Sequence, residues 1–247
     1  MIRSLSLTAA AVALATAAFA EDASYEVNGE AFEGYFAAAE NPKGLVLVIH
    51  DWDGVDDYER QRADMIAALG YDAFAIDLFG AGVRPDTTEA KLAAIGAAQA
   101  DRPRMRALIE GGLAAARSHS QAEKLVVAGY CFGGGATLEA ARNGVTGAEG
   151  YVTFHGLVAT PEGQSWPGDA APLLVLHGGA DKTPDMAGIA AFSQELETAG
   201  VPYEIEVYSG APHAFTVFGS DNYRETADAE SWAAFERFLA QRLGEDA

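Results

Sequence analysis

The stretch Leu125-Val126-Val127-Ala128-Gly129-Tyr130-Cys131-Phe132-Gly133-Gly134 constrains the fold more than any other part of this chain. A short apolar run feeds a glycine-bounded turn, and the segment beyond, Ala136-Thr137-Leu138-Glu139-Ala140-Ala141, has helix-forming composition. Strand, sharp turn and helix, with Cys131 inside a G-x-C-x-G frame, make a nucleophile elbow in which sulfur replaces the usual serine oxygen. Glycines two residues to either side are needed because the turn is strained, and neighbouring Cβ atoms would collide with the strand and helix. The helix N-terminus beyond favours a thiolate and presents backbone N–H groups to an anionic intermediate.

In this architecture the acid and then the histidine follow the nucleophile in the chain. Leu173-Leu174-Val175-Leu176-His177 is a second apolar run, and the Gly178-Gly179-Ala180-Asp181 segment after it puts Asp181 on a loop at a strand's C-terminal end. Pro184, a little further on, suits the first turn of the next helix. The strand candidate Tyr203 to Tyr208 runs into Ser209-Gly210-Ala211-Pro212-His213, so His213 also lies just past a strand end. Ligands of open α/β sheets bind outside the carboxyl ends of the strands. Cys131, Asp181 and His213 are therefore expected at one edge, as nucleophile, histidine-orienting acid and general base. Of the five histidines, His50, His155 and His177 close other strand runs and His119 lies in a polar loop, which leaves His213 in the required last position.

Apolar runs alternate with helical patterns along the rest of the chain. Leu45 to Ile49 precedes a helix with Met65, Ile66 and Leu69 on one face; Ala73 to Ile76 precedes a long alanine-rich region reaching Arg117; Tyr151 to Phe154 adds a strand after the elbow. Ile189, Phe192 and Leu196 line a helix stopped near Gly200, and Trp232, Phe235, Phe238 and Leu239 line the last one. This alternation predicts a mostly parallel sheet with helices on both faces and right-handed crossovers. Ser24–Val27 and Ala31–Phe36, separated by Asn28-Gly29, are expected to form an antiparallel hairpin at its edge.

The Gly-Tyr-Cys-Phe-Gly-Gly frame, the Asp181 loop and the ending Tyr208-Ser209-Gly210-Ala211-Pro212-His213-Ala214-Phe215 together resemble the dienelactone hydrolase family of α/β-hydrolases. So do Val48-Ile49-His50-Asp51-Trp52-Asp53-Gly54-Val55 and the later Gly70-Tyr71-Asp72-Ala73-Phe74-Ala75-Ile76-Asp77-Leu78, and the resemblance runs from about Gly34 to Leu243. It implies an α/β-hydrolase fold and a Cys131, Asp181, His213 triad. It also implies an oxyanion hole made by the backbone N–H groups of Trp52 and Phe132. Where the family has a glutamate that interacts with the resting thiol, this chain has the shorter Asp51, expected to act through a water or to cap the strand–loop junction. Where members that open dienelactone carry a carboxylate-gripping arginine, four residues past the histidine, this chain has Val217. The substrate expected is therefore a neutral ester or lactone, unless a cation from Lys91 to Arg106 enters the pocket. Trp166, in the excursion from Gly156 to Ala171, is expected either to wall the substrate pocket or to anchor the loop.

The N-terminus reads as a secretory signal peptide. Met1-Ile2-Arg3 is a positive start, Leu5 to Phe19 is apolar, and Ala18-Phe19-Ala20 is a small-x-small site before Glu21-Asp22, too short a run for a membrane span. Cleavage after Ala20 leaves residues 21 to 247 as one domain, secreted and expected in the periplasm. A single cysteine cannot form an internal disulfide there, which favours a reactive thiol at Cys131. A net charge of −20 argues against nucleic acid and anionic membrane surfaces as partners, because both recruit Lys and Arg. Asp51, Asp53, Asp56 and Asp57 lack the spaced glycine and terminal glutamate of a calcium loop, and no glycine-rich nucleotide motif follows a strand, so neither metal nor cofactor is expected. The expected function is cofactor-independent hydrolysis of a small-molecule ester or lactone through an acyl-thioester. The rivals are a noncatalytic small-ligand or redox-sensing protein that keeps the fold, and a serine-type esterase, against which the absence of G-x-S-x-G argues.

Overall fold

A computed structural model describes residues 19–144 and 147–244. Most of the expected signal peptide, residues 1–18, lies outside them. The first strand, β1 (Ala20–Val27), starts within the expected cleavage site and pairs antiparallel with β2 (Glu30–Ala37), as the Asn28-Gly29 turn predicts. Both turn residues have positive φ (53° and 81°), the backbone that a tight two-residue hairpin demands. Cleavage after Ala20 would leave this strand beginning at Glu21.

Six further strands complete the sheet: β3 (Leu45–Ile49), β4 (Asp72–Ile76), β5 (Leu125–Tyr130), β6 (Gly150–Phe154), β7 (Leu173–Gly178) and β8 (Tyr203–Tyr208). Their order is β1-β2-β4-β3-β5-β6-β7-β8, antiparallel across β1-β2-β4 and parallel from β4 to β8. The inner strands are buried throughout because helices cover both faces. Leu45, Leu47 and Ile49 of β3 face one core, and Val46 and Val48 face the other.

On the first face lie α3 (Arg102–His119), α4 (Phe132–Arg142) and α5 (Met186–Ala199); on the second lie α1 (Asp57–Ala68) and α6 (Glu225–Leu243). The stripes foreseen on α5 and α6 are buried, apart from Trp232, which is half-buried. On α1 the buried stripe includes Ile66 but also Tyr58, Glu59 and Arg62, while Met65 is only half-buried and Leu69 is the C-cap.

The alanine-rich region holds two helices: α2 (Thr88–Ala100) ends at Asp101, whose side chain accepts the Arg104 N–H at 3.0 Å and caps α3, with Pro103 in the first turn. One local expectation needs correction. Pro184 lies outside α5, whose N-cap is Asp185, accepting from the Gly188 N–H.

Candidate active site

The parallel register sets the C-terminal ends of β3, β5, β7 and β8 along one edge: Ile49 lies beside Gly129, and Gly178 beside Tyr208. The loops leaving these ends carry Trp52, Cys131, Asp181 and His213, all four of which line one cavity.

At the elbow, Cys131 has φ +51°, a conformation that costs a non-glycine residue energy and persists only under tight packing. The packing is visible at the flanking glycines. A Cβ on Gly129 would stand 2.1 Å from the Gly133 carbonyl oxygen, and one on Gly133 would stand 2.2 Å from that of Ile49. The expected collision of strand and helix backbones is thus the actual constraint. Phe132 is the first residue of α4, so its N–H has no intrahelical partner, and no capping side chain takes it.

His213 joins the other two residues. Its Nε2 is 3.1 Å from Cys131 Sγ and its Nδ1 is 2.8 Å from Asp181 Oδ2. Burial works against charge on this imidazole, but hydrogen bonds to Asp181 and then Cys131 outweigh it and push its pKa up to about 10. The buried Asp181 also closes a turn, its Oδ1 accepting the Thr183 N–H at 2.8 Å. One carboxylate oxygen thus holds the turn and the other meets the imidazole. Behind His213, the His155 ring stands edge-on at 5.2 Å, its Nε2 2.8 Å from Thr216 Oγ1.

The β3 loop is set by a histidine that sequence reasoning assigned only to a strand end. His50 Nε2 accepts the Leu78 N–H at 3.0 Å, so the proton resides on Nδ1, which donates to the Asp51 carbonyl at 2.6 Å. Burial lowers the pKa of His50 and favours this neutral tautomer. A trans peptide points its N–H opposite to its C=O, so this bond also directs the Trp52 N–H away from His50. The signal was present in the sequence, a histidine directly before the loop, but its partner at Leu78 is visible only in three dimensions.

Asp51 is buried beside Cys131, lining a second, smaller cavity with Cys131 and His213. Burial pushes its carboxyl up to about 7 against the Asp53 N–H it accepts at 2.9 Å, and the charges of Asp53 and Asp56 add to the rise. In the rest of the acidic cluster, Asp56 caps α1 in a reciprocal box with Glu59, Asp57 lies in the first turn of that helix, and Asp53 pairs with Lys91.

The two cavities flank the thiol and share Trp52, Cys131 and His213. The larger, about 560 Å³, is walled mainly by apolar groups, among them Leu92 and Ile95 of α2 and Leu157. The smaller, about 360 Å³, holds Asp51, Asp53, Lys91 and Val217. Val217 thus stands at the site without a charge to offer. A cation from the Lys91–Arg106 segment does enter: Lys91, ion-paired to Asp53 and 4.8 Å from the centre of the Trp52 ring.

Trp166 does not wall either cavity. It is an anchor, 5.8 Å from the Phe192 ring and 5.1 Å from the Arg142 guanidinium, which corrects its assignment to the substrate pocket. Leu92 and Ile95 were missed because α2 buries none of its residues fully and so leaves only a weak apolar stripe.

Comparison with known proteins agrees with the geometry. The model of the "Dienelactone hydrolase family" matches residues 32–243. A Bradyrhizobium protein named "Probable 2-oxo-3-(5-oxofuran-2-ylidene)propanoate lactonase" is 28% identical, over 83% of this chain and 87% of its own. The structure of a dienelactone hydrolase-like promiscuous phosphotriesterase from metagenomic libraries superposes with a TM-score of 0.82 at 26% identity, covering 92% of this chain and 99% of that one. A thermophilic esterase from Thermogutta terrifontis, 18% identical with a TM-score of 0.64, covers 90% of this chain and 92% of its own and shares the fold.

Proposed function

The chain belongs to the dienelactone hydrolase family, hydrolases of ester and lactone bonds, and from that premise we propose an exported enzyme that cleaves neutral esters or lactones with a Cys131-His213-Asp181 triad. The observation that carries this reading is the pair of contacts made by His213, 3.1 Å to the thiol and 2.8 Å to the carboxylate. The raised pKa of His213 keeps the Cys131 proton on the imidazole, and the resulting thiolate attacks the carbonyl carbon. The tetrahedral oxyanion is held by the N–H groups of Trp52 and Phe132, the first directed by His50 and the second free at the start of α4. Collapse breaks the bond to the leaving oxygen, which takes the proton back from the imidazolium. Water, deprotonated by His213, then attacks the thioester and releases the acid and the thiol. Asp181 holds the imidazole in the tautomer with its proton on Nδ1 and stabilises the imidazolium.

Asp51 tunes the thiol through its charge. Neutral, it leaves negative charge on sulfur unopposed; ionised, it repels it. Recognition of a compact carboxylate in the smaller cavity is weak, because Asp53 already neutralises Lys91 and Val217 is apolar. Residues 1–20 are the export signal, and 21–247 are one mature domain; N-terminal sequencing of the exported protein should therefore start at Glu21. The deciding assay runs short-chain esters, a neutral lactone and an anionic dienelactone over the mature enzyme. Higher kcat/KM for the neutral lactone supports the reading, and a preference for the anionic one that salt abolishes contradicts it.

A further inference from the structure

Three of the chain's 16 cations converge on one buried carboxylate in a protein of net charge −20. Glu139 of α4 accepts from Arg102 at 3.0 Å and from Arg106 at 2.7 Å, and Arg142 lies 3.5 Å away. Gln164 and Asn143 donate to the same carboxylate, at 2.8 and 3.2 Å, so its oxygens are fully occupied. Counting Glu195, whose charge also reaches Arg142, two negative charges face three guanidiniums, which leaves this spot positive. The Arg142 side chain is only 2% exposed, and its buried Nη1 has no hydrogen-bond partner.

A cavity of about 240 Å³ lies against this cluster, lined by both Arg102 and Arg142. It shares Gln99, Phe132 and Leu157 with the larger cavity at the nucleophile. Its floor is the face of α4 carrying Phe132, Gly135 and Ala136, the turns that precede Glu139 and Arg142 on the same side of the helix. At about 1.5 Å of rise per residue, the path from Cys131 to the guanidiniums is on the order of 10–15 Å, the reach of a medium acyl chain. The mouth includes the exposed Ala159.

We propose that this cavity is an anion subsite that takes the distal carboxylate of an elongated acyl group, with the ester carbonyl at Cys131 and the methylene chain crossing the apolar chamber. The assignment rests on the hydrolase reading above and refines its substrate class. A compact anionic lactone places its charge near Asp51 and Asp53 and is rejected. A half-ester of a linear dicarboxylic acid places its charge on Arg102 and Arg142 and is favoured. Guanidinium–carboxylate hydrogen bonds are among the strong ones, so one lost partner should cost about tenfold in affinity.

The test compares monoethyl suberate with ethyl octanoate, equal in acyl length and different in distal charge. Beside the parent stand Arg102→Gln, which removes one guanidinium, and Ala159→Glu, which adds a negative charge at the mouth without touching the Glu139 network. The parent should give a higher kcat/KM for the half-ester, and each variant should lower the suberate-to-octanoate ratio about tenfold. Calorimetric binding of suberate and octanoate to the same proteins gives a readout independent of turnover. If ethyl octanoate is hydrolysed while suberate is neither preferred nor sensitive to either variant, the subsite is refuted and the hydrolase stands. If neither ester is turned over while suberate still binds in an Arg102-dependent way, the catalytic reading fails and the subsite stands. If both turnover and suberate binding are absent, both fail.

Discussion

Helices α4 and α2 are both rich in alanine, and both border the Cys131 cavity, yet they are held in opposite ways. In α4 every residue but Gly135 is buried; in α2 none is, and Leu92 is 58% exposed. Helix α4 is locked by backbone-to-backbone approach at Gly129 and Gly133, whereas α2 leans on α3 and reaches the frame through the Lys91–Asp53 pair. The difference separates two tasks. Chemistry needs a thiol, an imidazole and two N–H groups fixed to within fractions of an ångström, and the buried helix supplies that. Recognition tolerates a wall that can adjust, and the exposed helix supplies Leu92 and Ile95 for it.

The contrast would break first at the triad. His213→Ala and Asp181→Asn should each lower kcat by about 10³-fold or more while the circular dichroism spectrum stays that of the parent, and adding Cys131→Ala to His213→Ala should cost little further. Near-parent rates in both single variants would mean that the rigid frame does not carry the chemistry.

A single methyl group should be felt next. Gly133→Ala forces a Cβ against the Ile49 and His50 carbonyl oxygens, at 2.2 and 2.4 Å, so thermal unfolding should report about 1–3 kcal/mol of lost stability together with reduced kcat. A stable and active Gly133→Ala would show that the close approach is dispensable. The matching change on the exposed helix, Leu92→Ala, should leave stability within about 0.5 kcal/mol of the parent. Its effect should fall on KM for long-chain esters, with kcat kept; an equal fall in kcat would move α2 into the frame.

The smallest effect is expected at Asp51, on the loop where the two regions meet. Its folded pKa of about 7 lies above the ordinary aspartate value of 3.8, so the folded state binds the extra proton, and stability falls as pH rises from about 4 through 7. Asp51→Asn removes that loss. Its melting temperature should exceed the parent's by about 2–4 °C more at pH 8 than at pH 5, by differential scanning calorimetry. A pH-independent difference would mean that Asp51 is ionised in the fold like an ordinary surface carboxylate.

The same contrast explains what was legible in the sequence. Elements with local turn chemistry or continuous apolar runs leave strong marks: the Gly129-Tyr130-Cys131-Phe132-Gly133 frame, the runs before Asp181 and His213, and the exposed Asn28-Gly29 hairpin could all be placed from pattern alone, and the sheet followed. Laterally packed parts could not. The break between α2 and α3 was marked by Asp101 and Pro103, but alanines on both sides masked it. The partners of Trp166 on α4 and α5, of Lys91 on the β3 loop and of His50 at Leu78 depend on how distant segments meet, and no spacing in the chain encodes that.

The central claim, that Cys131 is the nucleophile set in a rigid frame beside an adjustable wall, is tested most directly by intact-mass spectrometry of the mature enzyme quenched during turnover of a slow ester. A single acyl adduct that maps to Cys131 and is absent from Cys131→Ala, which also loses hydrolysis, is the predicted result. Full hydrolytic rate in Cys131→Ala, or an adduct on another residue, would contradict it.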